Sequence, residues 1–155
     1  MPKLYITGVG PDGRSKVVET RELVGGGPPA PAYTADGPVP TILPCTTGAQ
    51  LLAGHSAPGT FSAAVFGWKP GMYTDAHRTI SLDVDTVLEG SVILGLEDGE
   101  ITLRKGDVVV LPGTVHTWRA TEEHGLVLYS IVSAAPSAAD AALPTIEPME
   151  IVHGF

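Results

Sequence analysis

Between residues 60 and 133 the chain breaks into short runs of Val, Ile, Thr and aromatic residues, each closed within a few positions by turn formers. Residues 61–68 close at Lys69-Pro70-Gly71, residues 77–89 at Gly90, and residues 91–96 at Glu97-Asp98-Gly99. Residues 100–103 turn at Arg104-Lys105-Gly106-Asp107, residues 108–111 stop at Pro112-Gly113, and residues 116–119 precede a last run over 126–132. Asp-Gly is the dipeptide a tight hairpin favours, because its backbone tolerates positive φ. Regularly spaced runs with no helical period predict an antiparallel sandwich or barrel. The 19 Gly and 14 Pro among 155 residues agree, since a fifth of the chain is roughly twice the usual share and excludes a helical bundle.

The flanks differ. Residues 1–59 hold strand-like pieces at 3–9 and 15–19, then Gly25-Gly26-Gly27-Pro28-Pro29-Ala30-Pro31. Proline lacks the backbone donor and glycine costs entropy, so this stretch reads as an arm crossing the surface of the core. In residues 134–155, Ser137 is placed to cap one short helix over 138–143, which Pro144 stops. The length fits one domain, with 1–59 as arm, 60–133 as core and 134–155 as tail.

Nine Lys and Arg against seventeen Asp and Glu give a net charge of −8, which repels phosphate backbones and anionic lipid. No apolar run approaches the ~20 residues of a membrane span. The first residues lack the pattern of a signal peptide, and the lone Cys45 permits no internal disulfide, so a cytoplasmic protein is expected. Gly25-Gly26-Gly27 runs into prolines rather than a helix, and Gly-x-Ser-x-Gly is missing. A dinucleotide loop and a serine-hydrolase elbow are thereby excluded.

Residues 77–85 are the informative strand. Side chains two apart share a face, so His77, Thr79, Ser81, Asp83 and Asp85 form one row and Arg78, Ile80, Leu82 and Val84 the other. Either row can face the core. An ordinary strand buries the aliphatic row, whereas a small barrel can line its lumen with the polar row and pack the aliphatic row elsewhere.

Gly71-x5-His77, Asp83-x6-Gly90 and the later Gly106-Asp107-Val108-Val109-Val110-Leu111-Pro112-Gly113-Thr114-Val115-His116 resemble the two motifs of the cupin family. Thr79 stands where that family has a second histidine, Asp83 replaces its glutamate, and Ala120 replaces a trailing asparagine. The resemblance covers about half the chain. It implies an all-β, single-domain jelly-roll barrel (a double-stranded β-helix) with an irregular N-terminal arm and a short C-terminal helix or tail.

The same resemblance implies that His77, Asp83 and His116 converge inside the barrel as two imidazoles and one carboxylate. Such a set suits Fe(II) and accommodates Zn, Mn or Ni, though without the second histidine the site can also stand empty. Asp85 and Asp83 are the candidate proton-transfer groups, and Thr79, Ser81, Trp118 and Tyr73 the candidate pocket residues. His55, His124 and His153 have no partner at ligand spacing and read as structural or exposed.

The implied activity is metal-dependent lyase, isomerase or cyclase chemistry on a carbonyl-containing small molecule. A dioxygenase and a non-catalytic ligand carrier are the alternatives. If the polar row faces inward, the aliphatic row needs cover from the arm or a second subunit, and a two-fold homodimer is the commonest such solution.

Overall fold

A computed structural model describes residues 1–23, 61–78, 81–123, 125–134 and 152–153. These residues form strands and no helix. In chain order the strands are β1 (Lys3–Val9), β2 (Ser15–Glu22), β3 (Phe61–Trp68), β4 (Tyr73–Thr74) and β5 (Ser81–Leu96). Then follow β6 (Gly99–Arg104), β7 (Val108–Pro112), β8 (Thr117–Ala120), β9 (Leu126–Ala134) and β10 (Val152–His153). The arm at 25–31, Cys45, His55, Thr79, Ile80, His124 and the helix expected over 138–143 lie outside the described residues.

The sixteen-residue β5 organises everything else. Its first half runs between β9 and β7, with Asp83 opposite Val132 on one side and Leu111 on the other. Its second half runs between β6 and β8, with Leu94 opposite Ile101 and Trp118. Beyond β7 the first sheet continues through a parallel pairing to β1 and then to β2, and beyond β9 it ends at β3. The second sheet continues from β8 to β4 and β10.

Gly90 does not end the strand, contrary to the reading that split 77–89 from 91–96. The register with β9 shifts between Val87 and Glu89, and Gly90 follows at φ +78°. A Cβ at Gly90 would lie 1.7 Å from the Gly125 carbonyl oxygen, so only glycine fits there. This bulge also changes which parity faces inward, since one inserted residue turns a strand over. Before it the odd residues Ser81, Asp83, Asp85 and Val87 are buried; after it the even residues Val92 and Leu94 are.

The two halves of β5 therefore present their buried faces to one core. Val87, Val109, Leu111, Leu126 and Leu128 of the first sheet pack with Val92, Leu94, Leu103, Trp118 and Ala120 of the second. The aliphatic row points the other way, and Leu82 and Val84 pack with Leu4, Ile6 and Val110 in a smaller cluster. The N-terminal strand thus supplies part of the cover that row needs.

The jelly-roll expectation holds with one difference: among the described residues the sheet is folded upon itself but not closed into a full barrel. The halves meet face to face through the core because a single strand carries both of them around the bulge.

Candidate functional site

His77 lies just before β5 and His116 just before β8, and the two form an isolated antiparallel bridge. The His77 amide donates to the His116 carbonyl at 3.0 Å, and the His116 amide donates to the His77 carbonyl at 2.8 Å. Directly opposed residues of such a pair send their side chains to the same side. Their ring centroids lie 4.4 Å apart, tilted by 56°. His116 is buried, His77 half-buried, and the His116 and Trp118 rings meet in a T-shaped contact at 5.7 Å.

Both rings are oriented in the same manner. Nδ1 of His77 donates to the Asp75 carbonyl and Nδ1 of His116 to the Thr114 carbonyl, each at 2.8 Å. A carbonyl only accepts, so each neutral ring carries its proton on Nδ1 and its lone pair on Nε2. Burial pushes the His116 pKa down to about 4, the neighbouring His77 adds to this, and the Thr114 hydrogen bond opposes it. His116 therefore stays neutral at ordinary pH, as a metal-ligating imidazole must.

The polar residues Ser81, Asp83 and Asp85 of β5 face inward. Asp83 and Asp85 are only 7% and 4% exposed. Ser81 Oγ donates to Asp83 Oδ1 at 2.5 Å. Asp85 lies opposite Ser130 of β9, whose hydroxyl hydrogen-bonds it. Burial pushes the Asp85 pKa up to about 7; the Ser130 hydrogen bond works against this and the nearby Asp83 charge with it.

The three-ligand arrangement implied by the cupin resemblance is only partly assembled. His77 and His116 come together, but among the described residues no group of three His, Cys, Asp or Glu side chains is placed to hold a metal. Asp83 shares the interior without joining the imidazoles. Its side chain is a methylene shorter than the glutamate of the motif, and one of its oxygens is taken by Ser81. The donor chemistry fits a divalent ion at two positions and leaves the rest of the coordination to other groups.

Trp118 is a core residue that borders the site through its ring contact with His116. Tyr73 is not at the interior. In β4 it alternates with buried Thr74, which leaves it 43% exposed, its ring stacked on His153 at 4.6 Å. An open pocket of about 370 Å³ borders His116, with Ala76, Thr117, Glu97 and Glu100 in its wall. A larger one of about 640 Å³, at Trp68, Glu89 and Glu123, holds none of the expected site residues. Sequence reasoning missed Ser130 and His153, since the β5–β9 and β10–β4 pairings alone bring them near Asp85 and Asp75, the partners that give them a role.

No family model matches the chain. It is 28% identical over 147 residues to a "cupin-domain-containing oxidoreductase" of Neurospora crassa, covering 87% of this chain and 75% of that one. It is 36% identical over 93 residues to "Phomopsin biosynthesis cluster protein C'" of Diaporthe leptostromiformis, covering 58% of this chain and 49% of that one. The chain thus spans about half the length of that curated relative. Among solved structures, a conserved protein from Klebsiella pneumoniae with a double-stranded β-helix domain is similar at 22% identity and a TM-score of 0.44, covering 50% of this chain and 66% of that one. No helix among the described residues is long and apolar enough to cross a membrane.

Proposed function

We propose that this chain, all-β among its described residues and similar in sequence to a cupin-domain-containing oxidoreductase, is a small-molecule enzyme of the cupin type whose centre is the His77–His116 pair, with Asp85 as its proton-transfer group. The observation that carries this reading is the matched orientation of the two rings, each with Nδ1 tied to a carbonyl and Nε2 left as the basic nitrogen. Where a divalent metal is bound, these two nitrogens would hold it, and it would polarise a carbonyl oxygen of the substrate.

The chain's own residues supply the rest. Asp85, with a pKa near neutrality, can take a proton and return it at working pH, which is what a lyase, isomerase or cyclase step beside a carbonyl requires. Asp83 raises the proton affinity of Asp85 through its charge, and Ser81 holds Asp83 in place. Trp118 packs against the His116 ring and helps hold its orientation. The substrate class proposed is a carbonyl-containing organic molecule of modest size; a fungal relative named for a biosynthetic cluster supports small-molecule chemistry.

Oxidation is the second reading, supported by the word oxidoreductase in the name of the Neurospora relative. The two separate on one experiment. Turnover of a candidate carbonyl substrate is followed in the presence and absence of dioxygen, with wild type, Asp85→Asn and His116→Ala. The lyase or isomerase reading requires oxygen-independent turnover lost in both variants. Turnover that consumes oxygen and survives Asp85→Asn overturns it.

A further inference from the structure

His153 forms a surface clasp on the residue that orients His77. In β10 it pairs with Tyr73 of β4, so a residue near the end of this sequence lies beside the loop that leads into His77. Its Nε2 lies 2.8 Å from Asp75 Oδ2, and its ring stacks on Tyr73 with 4.6 Å between centroids and only 16° between planes. Asp75 is the residue whose backbone carbonyl accepts the Nδ1 proton of His77. The contacts thus run inward in one chain, from His153 to Asp75, to His77, to His116 and to Trp118.

We infer that His153 is a positioning residue: held in place by the Tyr73 stack and bonded to the Asp75 side chain, it fixes the carbonyl that sets the orientation and tautomer of His77. The asymmetry between the two rings supports this assignment. His116 is buried and takes its carbonyl from Thr114, which is 1% exposed and further tied through its hydroxyl to Thr7. His77 is half-buried and takes its carbonyl from Asp75, whose side chain is 56% exposed. The outer ring needs an additional constraint that the inner one already has, and the β10–β4 pairing delivers it. Outer partners of this kind routinely set which nitrogen of a functional histidine carries the proton.

This inference rests on the proposed role of His77, but its test reads the ring rather than turnover, so the two can fail separately. Side-chain ¹⁵N resonances of His77 and His116 are recorded on the full-length, chelator-treated protein at about pH 8, where an ordinary histidine is neutral. Four variants are compared with wild type. His153→Phe keeps an aromatic ring but removes the Nε2 hydrogen bond. Asp75→Ala removes the acceptor side chain but leaves the carbonyl. Asp75→Asn retains an acceptor oxygen, and His153→Ala removes both contacts.

The expected result is a fall in the Nδ1–H to Nε2–H ratio of His77 of up to about fivefold in His153→Phe, His153→Ala and Asp75→Ala, the size an exposed pair carries. Asp75→Asn should restore the wild-type ratio, and His116 should not move. An unchanged His77 in folded Asp75→Ala overturns the inference. Equal movement of His116 overturns it too, because that outcome marks general loosening. Should His153→Ala fail to fold, the comparison of Asp75→Ala with Asp75→Asn decides alone.

Discussion

His77 and His116 exchange both backbone hydrogen bonds of a single antiparallel bridge, which places their rings 4.4 Å apart although 39 positions separate them in the chain. Their nearness is a backbone property, so it survives loss of either side chain. Replacing either histidine with alanine should therefore leave the fold intact while weakening divalent-metal binding by at least roughly 10-fold, since loss of even an outer partner of a ligand costs that much. Metal titration followed by calorimetry, with circular dichroism as the fold control, checks this. Wild-type affinity in both variants contradicts it.

Asp85 makes the metal-free protein less stable as pH rises. Its folded pKa of about 7 stands above the ordinary 3.8 of an aspartate, so the native state binds more protons than the unfolded state between those values. The stability it contributes is full below the lower value and is lost as pH rises through the upper one, at up to about 1.4 kcal/mol per pH unit. Asp85→Asn should gain on wild type across this window and hold a constant advantage above it. Urea unfolding at a series of pH values measures the difference; parallel curves contradict the account.

His116 acts with the opposite sign. Its folded pKa of about 4 lies below the ordinary 6.5, so the unfolded state binds the extra proton and stability is lost as pH falls between them. Over that interval the two groups offset each other, and wild type should be nearly level. His116→Gln should unmask the Asp85 slope, with stability rising toward acid. A wild type and variant with the same acid limb would show that the ring is not held neutral.

Gly90→Ala should destabilise the protein by more than about 1 kcal/mol, because φ is +78° and the new methyl would meet the Gly125 carbonyl. The same change at Gly13, whose φ is +79° but where a Cβ meets nothing within 4 Å, should cost less. Thermal melts of the two variants side by side decide it. Equal losses would mean the bulge carries no close contact of its own.

Much of the framework was legible because its signals are local. The bounds of β1 and β3 follow from alternation and from turn residues that end each run, and β7 and β9 depart from the expected runs by only one or two residues at their ends. Gly90 was misread for the same reason that others were read correctly. A glycine after a strand looks like a stop, while the carbonyl of Gly125 that demands it is 35 positions away. The question the sequence left open, which row of β5 faces inward, is decided by that bulge together with the apolar partners on β7 and β9.

In the candidate site, too, the readable signals were local. His77 and His116 were marked by glycine-anchored motifs, and the buried acids by their two-residue spacing. Tyr73, expected beside the entry to His77, is exposed on the two-residue β4, which is too short for periodicity to tell its faces apart. The part played by His153 was hidden because its partner Asp75 is 78 positions away and only the β10–β4 pairing brings them together.

The central claim is that the Nε2 atoms of His77 and His116 form one functional centre able to hold a divalent ion. Crystals of untagged protein grown with the candidate metals, measured above and below each absorption edge, test it most directly. The account predicts an anomalous peak within bonding distance of both Nε2 atoms, with each Nδ1 still on its carbonyl. A peak elsewhere, or rings turned so that Nε2 meets the carbonyls, would contradict it.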